Sequence, residues 1–146
     1  MARLLVAASI VWPLALAGGW WARAHGGPAW LDVVTYVSAG RVCHQRPDRS
    51  FHTDGVQWPV CGRCAGLYAA APFGALAALF IRRRRTVPSL TWLAIAAVPT
   101  AITVVLEFSG LTAMSSLARF VAALSLGAAI AFFIVSVTQP GGAGGR

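Results

Sequence analysis

The sequence predicts an all-α integral membrane protein of one domain (1–146), with four transmembrane helices and a short interfacial helix. Three observations lead to this prediction. The chain is 58% hydrophobic and only 11% charged, whereas soluble domains are nearer a quarter charged. Four apolar segments are each long enough to cross a bilayer, which takes about 20 apolar residues. A run of four arginines, Arg82 to Arg85, directly follows one of these segments.

The four apolar segments are the predicted membrane-spanning helices. They cover residues 4–21, 64–81, 87–106 and 120–137. Proline lies inside three of them, at Pro13, Pro72 and Pro99. Membrane helices tolerate proline because neighbouring helices satisfy the freed backbone groups. We therefore expect kinks at these positions and no breaks.

The arginine run predicts how the chain is oriented in a cell membrane. Short basic loops stay in the cytoplasm, so the second helix ends on that side. The N-terminus with Arg3 and the tail 141–146 then also lie in the cytoplasm, and the loop 22–63 lies outside it. The formal charge of +8 does not indicate nucleic-acid binding, which requires basic residues on a solvated face.

The N-terminus also allows a second interpretation. Arg3, the apolar run and the sequence Ala22-Arg23-Ala24 resemble a signal peptide with a small-x-small cleavage site. Trp20 and Trp21 resemble an interfacial aromatic belt, which favours a retained helix. The loop 22–63 faces outward under either interpretation.

A short amphipathic helix is predicted within the outer loop, over residues 28–38. Four apolar residues share one helical face: Trp30, Val33, Val34 and Val37. Pro28 suits a first helical turn, and Gly40 suits a helix end. Such a helix is expected to lie on the membrane surface.

All three cysteines and two of the three histidines fall within one part of this loop. The C-x-x-C pair Cys61 and Cys64 supplies two metal ligands, and Cys43 with one histidine completes a tetrahedral set. His44 is the predicted fourth ligand, and His52 is the reserve. Thiolate and imidazole suit zinc, although copper(I) and iron are soft enough to compete.

Two other arrangements of the cysteines stay open. Cys61 and Cys64 form a structural disulfide in the first, which leaves Cys43 free. In the second they are a redox-active pair, because Cys64 starts a helix whose positive end stabilises a thiolate.

Glu107 and Arg119 are predicted at the outer boundary of the third and fourth helices. Charges at that depth are costly unless they are paired, which favours an ion pair between them. Alternatively, Glu107 reaches the metal as a ligand or as a general base for bound water. We expect both residues to lie near the cysteines, with Tyr68 lining the same cavity one helical turn beyond Cys64.

The arginines of the outer loop are candidates for binding an anionic substrate or a lipid phosphate, for which guanidinium is well suited. They are Arg46, Arg49 and Arg63. Pairing with Asp48 and Asp54, or with lipid headgroups, is the alternative role.

These residues together resemble the signature of the domain-of-unknown-function 2085 family of predicted prokaryotic membrane proteins. The resemblance is carried by three stretches: Cys43-His44-Gln45, Arg49-Ser50 and Cys61-x-Arg63-Cys64-x-Gly66-x-Tyr68. It adds Gln45, Arg49, Ser50, Arg63 and Tyr68 to the candidate site. The family pattern continues with an acidic residue near a glycine and a serine-asparagine motif before an arginine. Glu107 to Gly110 and Ser115 to Arg119 stand there, with serine in place of asparagine.

Three classes of function remain open at this stage. The first is a metal-dependent enzyme at the membrane surface, with Glu107 and Arg119 as catalytic candidates. The second is a membrane thiol–disulfide oxidoreductase that uses Cys61 and Cys64. The third is a non-enzymatic subunit that handles metal or assists the assembly of a larger membrane complex.

Overall fold

The computed structural model describes residues 1–81 and 89–139. The run from Arg82 to Arg85, the predicted start of the third helix at Val87 and the tail 141–146 lie outside the described residues.

The described residues form a helical protein with one small antiparallel sheet. Its elements are α1 (Ala2–His25), α2 (Ala29–Gly40), a single 3-10 turn (Pro47–Arg49), β1 (Ser50–Thr53), β2 (Val56–Cys61), α3 (Gly62–Phe80), α4 (Leu90–Phe108) and α5 (Ser116–Val137). Helices α1, α3, α4 and α5 are each long and apolar enough to cross a membrane. The predicted all-α membrane architecture is therefore confirmed, with a hairpin added to it.

The start of α5 and the end of α1 are determined by local capping more than by the limits of the apolar runs. Helix α5 begins at Ser116, ahead of the apolar run, because the Ser115 hydroxyl accepts a hydrogen bond from the Ala118 N–H (3.1 Å). Helix α1 continues to His25 and ends where Gly26 adopts a left-handed conformation (φ 68°). The three internal prolines lie within continuous helices, as expected.

The hairpin was not predicted from the sequence, which placed its residues in the outer loop 22–63. Asp54 and Gly55 both have positive φ angles, 54° and 73°. This matches the type I′ turn that joins twisted antiparallel strands. The hairpin pairs Ser50 with Cys61 and so leads the chain directly into α3.

Glycine brings α3 and α5 into direct backbone contact. A Cβ on Gly62 would overlap the carbonyl oxygen of Ser116, and one on Gly66 would overlap that of Phe120. Gly127 on α5 meets the backbone of α3 in the same way. Small residues allow membrane helices to approach this closely. As a result, α3 and α5 begin side by side at one end of the bundle, which we call the cysteine end.

Helix α2 packs along α1 at the cysteine end. The Thr35 hydroxyl is buried against Gly19 and donates a hydrogen bond to the Ala15 carbonyl (3.4 Å). The opposite face of α2 is exposed and apolar: Trp30, Val33, Val34 and Val37. The helix predicted over 28–38 is thus observed over Ala29–Gly40, with an apolar face available to lipid.

Candidate metal centre

Three cysteine side chains meet at the cysteine end of the bundle. Cys43 follows α2 and is buried, Cys61 ends β2, and Cys64 lies in the first turn of α3. Their sulfur atoms all lie within 4.8 Å of one another. The Cys61 N–H also donates a hydrogen bond to the Cys43 Sγ (3.2 Å). The sequence prediction that these three cysteines converge agrees with this geometry, whereas their binding of a metal stays a prediction.

The loop that carries Cys43 is held in place by Gln45. This residue has a left-handed backbone (φ 48°). Its side-chain Nε2 donates to the carbonyl oxygens of Tyr36 (2.9 Å) and Pro59 (2.8 Å). The Gln57 side chain in turn donates to the Gln45 carbonyl (2.6 Å). Gln45 therefore ties α2 to β2 and places Cys43 beside Cys61.

Ser50 also holds the loop in place, at the start of the hairpin. Its hydroxyl donates to the Arg46 carbonyl (2.8 Å), and its own carbonyl accepts from the Ser116 hydroxyl (3.1 Å). The hairpin is thereby joined to the first turn of α5. Ser50 and Gln45 belong to the candidate site through the loop geometry that they maintain.

Neither candidate histidine belongs to the sulfur cluster. Across residues 1–81 and 89–139, the group that could hold one ion consists of the three cysteines. His44 is exposed although it follows Cys43 directly, and His52 is exposed on β1. Ligation by either imidazole stays a prediction, and for His44 it requires the ring to turn inward.

Apolar residues surround the sulfur atoms. Cys43 shares a buried cluster with Leu16, Ala39, Val60 and Ala65. Tyr68 packs against this cluster one helical turn beyond Cys64. It also lines a cavity of about 290 Å³ between α1, α3 and α5, whose lining includes neither the cysteines nor Glu107 and Arg119. Charged sulfur in such surroundings is costly unless a cation or hydrogen-bond donors offset it.

Hydrogen bonding favours a thiolate at Cys43. Donation from the Cys61 thiol, and then from the Cys64 thiol, lowers the pKa of Cys43 well below its ordinary value, although burial opposes this. The thiolate is the form of cysteine that ligates metals. The hydrogen bonds from its neighbours therefore stabilise Cys43 as a thiolate.

Glu107 lies between two arginines near the start of α3 and α5. Its Oε1 accepts from the Arg119 Nε (2.9 Å), and its Oε2 accepts from the Arg63 Nη2 (2.9 Å). The side chains of Glu107 and Arg119 are only 8% and 6% exposed. The predicted ion pair of Glu107 and Arg119 is present. Arg63, which the sequence placed among the loop arginines, forms a second ion pair with Glu107.

Arg63 links this ion pair to the cysteines. It stands inside the C-x-x-C sequence, between Cys61 and Cys64. Glu107 therefore contacts a residue of the C-x-x-C sequence, although its carboxylate is not part of the potential metal-binding group in the described residues. A role for Glu107 as ligand or general base stays a prediction.

Asp48 is the partner of the other loop arginines. Its Oδ1 lies 3.2 Å from the Arg46 Nε, and its Oδ2 lies 3.6 Å from the Arg49 Nε. The carbonyl oxygen of Asp48 also accepts from the Arg119 Nη1 (3.4 Å). Pairing with Asp48, the alternative role of these arginines, is thus observed for Arg46 and Arg49, and the contact with Arg119 joins the loop to α5.

Residues 43–133 match the sequence profile of the domain-of-unknown-function 2085 family, described as a predicted membrane protein. The chain belongs to this family. The matched region begins at Cys43 and includes Glu107 and Arg119, so it contains both the thiol cluster and the buried ion pair. The resemblance noted from the sequence is confirmed.

Two archaeal proteins are similar to the chain, and both are described as uncharacterised. One, from Methanocaldococcus jannaschii, is 28% identical over 109 residues, which cover 73% of this chain and 70% of the relative. The other, from Methanothermobacter thermautotrophicus, is 30% identical over 90 residues, which cover 62% and 81% respectively. No solved structure matches the chain.

Proposed function

We propose that this multi-pass membrane protein binds zinc through Cys43, Cys61 and Cys64 and acts as a metal-dependent enzyme at the extracytoplasmic membrane surface. The observation that carries the proposal is the approach of three sulfur atoms to within 4.8 Å of one another, in a group that among the described residues includes no histidine or carboxylate. Sulfurs bound to one tetrahedral zinc ion lie roughly 3.8 Å apart, given Zn–S bonds of ~2.3 Å. The observed spacing suits such an ion.

The number of ligands favours an enzyme over a purely structural site. Structural zinc has four protein ligands, whereas catalytic zinc has three and leaves one position for water or substrate. When bound, such an ion lowers the pKa of its water to about 7 and polarises a substrate oxygen. Glu107 and Thr103 hold the guanidinium of Arg63, which stands between the two cysteines of the C-x-x-C sequence. In the proposed enzyme this guanidinium orients an anionic or lipid substrate.

Purified protein is expected to contain about one zinc ion per chain, because three thiolates and one exchangeable ligand complete a tetrahedral site. Mass spectrometric metal analysis after purification without added zinc measures the content. Protein treated with a chelator is the control, and it should react with a thiol reagent at three cysteines. If copper or iron is found instead, the identity of the metal differs from the proposal, but the three-cysteine site is still supported.

Thiol–disulfide exchange is the second candidate function. It is favoured by the close approach of the Cys61 and Cys64 sulfur atoms in a C-x-x-C sequence at the start of α3. Oxidation of Cys61 and Cys64 to a disulfide releases two electrons and two protons to a partner disulfide. Protein that contains no metal and carries this disulfide would support exchange and contradict the zinc enzyme.

A non-enzymatic role in metal handling or complex assembly is the third candidate. It follows if His44 turns inward and closes the site with a fourth ligand, as structural zinc requires. The zinc content of the wild-type protein does not distinguish this role from the enzyme. The zinc content of a His44 variant distinguishes them.

The orientation of the site is part of the proposal. Reporter enzymes fused after Ser50 and after Arg85 are expected to indicate opposite sides of the membrane, with the first outside the cytoplasm. The reason is that the dense arginine run stays in the cytoplasm. An alkaline phosphatase fusion is active only outside, and a green fluorescent protein fusion fluoresces only inside. Both positions reporting the same side would contradict this topology.

A further inference from the structure

The starts of α3 and α5 are surrounded by more positive than negative charge. The charged side chains joined here by ion pairs are four arginines and two carboxylates: Arg46, Arg49, Arg63, Arg119, Asp48 and Glu107. Four positive against two negative groups leave an excess of two positive charges. We call these six residues the arginine surface.

Two helix N-termini add to this excess. Gly62 contacts the backbone of Ser116, so the first turns of α3 and α5 are adjacent. Each helix N-terminus carries the equivalent of roughly half a positive charge, together with backbone N–H groups that have no partner within the helix. Adjacent N-termini and arginines together favour a bound anion.

Two arginines of this surface have a side-chain donor that makes no hydrogen bond. The Nε atoms of Arg49 and Arg63 are buried and have no hydrogen-bond partner among the described residues, and the ion-pair contact of the Arg49 Nε with the Asp48 Oδ2 is long, at 3.6 Å. Arg63 uses its Nη2 for Glu107 and Thr103. Arg119, in contrast, donates from its Nε and from both terminal nitrogens. The Nε atoms themselves are buried, but the side chains of Arg49 and Arg63 are 34% and 22% exposed, so a solute or a lipid headgroup can reach the remaining part of each guanidinium.

We propose that the arginine surface binds the phosphate group of a phosphate ester, with Arg49 and Arg63 as donors. Guanidinium matches the geometry of phosphate oxygens. A phosphate monoester carries about 1.5 to 2 negative charges at neutral pH, close to the excess of positive charge, and the phosphodiester of a lipid headgroup is attracted by the same excess. Glu107 and Arg119 hold Arg63 in position. The use of this phosphate as a substrate rests on the proposed metal centre, whereas its binding does not.

The phosphate can belong to a soluble ester or to a lipid headgroup, and the same protein preparation tests both. Inorganic phosphate is titrated by calorimetry into protein held in phosphatidylcholine nanodiscs. R49Q and R63Q are expected to weaken its binding by about tenfold or more, because each removes a charged donor. R41Q is the matched control, since Arg41 is exposed at the end of α2 and its loss changes the net charge equally. Its affinity should stay near that of the wild type.

The second arm repeats the titration in nanodiscs that contain phosphatidylglycerol. Suppressed phosphate binding identifies a lipid headgroup as the occupant, and unchanged binding identifies a soluble ester. Both results support the site. No phosphate binding in phosphatidylcholine nanodiscs, or an equal loss in R41Q, overturns it. If R63Q fails to fold, R49Q decides alone, because Arg49 lies outside the membrane-spanning helices.

The measurements of phosphate binding and of zinc content test the arginine surface and the metal centre separately. If chelator-treated or metal-free protein binds phosphate, the arginine surface is supported even when no zinc is found. Protein that contains zinc but binds no phosphate overturns the arginine surface and leaves the metal centre untouched.

Discussion

Replacement of Cys64 by serine is expected to remove nearly all of the bound zinc. The three sulfurs share one small volume, and a neutral serine hydroxyl is a poor substitute for a thiolate. The two remaining thiolates would have to hold the ion with two exchangeable ligands. Metal analysis should show a fall from about one zinc ion per chain to less than about 0.1. Cys43→Ser should behave in the same way.

Two histidine variants complete this experiment. His25→Ala is the control, because His25 stacks on Trp21 at the end of α1 and is not a candidate ligand. His44→Ala is expected to keep its zinc, since His44 is exposed and outside the sulfur cluster. Loss of zinc from His44→Ala would instead show a closed four-ligand site and favour the non-enzymatic role. Full zinc retention by Cys64→Ser would contradict the proposed centre.

Replacement of Glu107 by glutamine is expected to cause the largest loss of stability. The change keeps the shape of the side chain but leaves Arg119, which is 6% exposed, without its counter-charge. Removal of one partner of a buried ion pair costs about 3–5 kcal/mol. Thermal unfolding in a neutral detergent should therefore show a clear fall in Tm. An unchanged Tm would mean that the pair is solvated in the protein.

The matched control is Asp48→Asn, which removes the same charge from an exposed pair and should leave Tm nearly unchanged. The zinc content of Glu107→Gln separates its candidate roles. Normal zinc with lower stability assigns Glu107 to the ion pair, whereas loss of zinc from folded protein would make it a ligand.

The membrane helices could be predicted because hydrophobicity over about 20 residues is a local property of the sequence. The helix start at Ser116 could not, since it depends on one capping hydroxyl outside the apolar run. Cysteine spacing likewise predicted that Cys61 and Cys64 lie together, and chemistry suggested that Cys43 joins them.

The contacts of Arg63 and Gln45 were not predicted, because they depend on how separate elements pack. Arg63 reaches Glu107 only because α3, α4 and α5 meet at the cysteine end. Gln45 needs the hairpin to bring the Pro59 carbonyl within reach. The Asp54-Gly55 pair is a known hairpin signal, so the hairpin could have been found from the sequence.

The residues around the thiol cluster come almost entirely from the first half of the chain. Of the described residues that pack there, only Phe120 comes from a later element. Ribosomes add residues from the N-terminus at about 5–20 per second. The three cysteines and the rest of this lining, apart from Phe120, are therefore synthesised before α4 and α5. During biosynthesis the thiols can come together first, and Glu107 neutralises Arg63 only when the later helices insert.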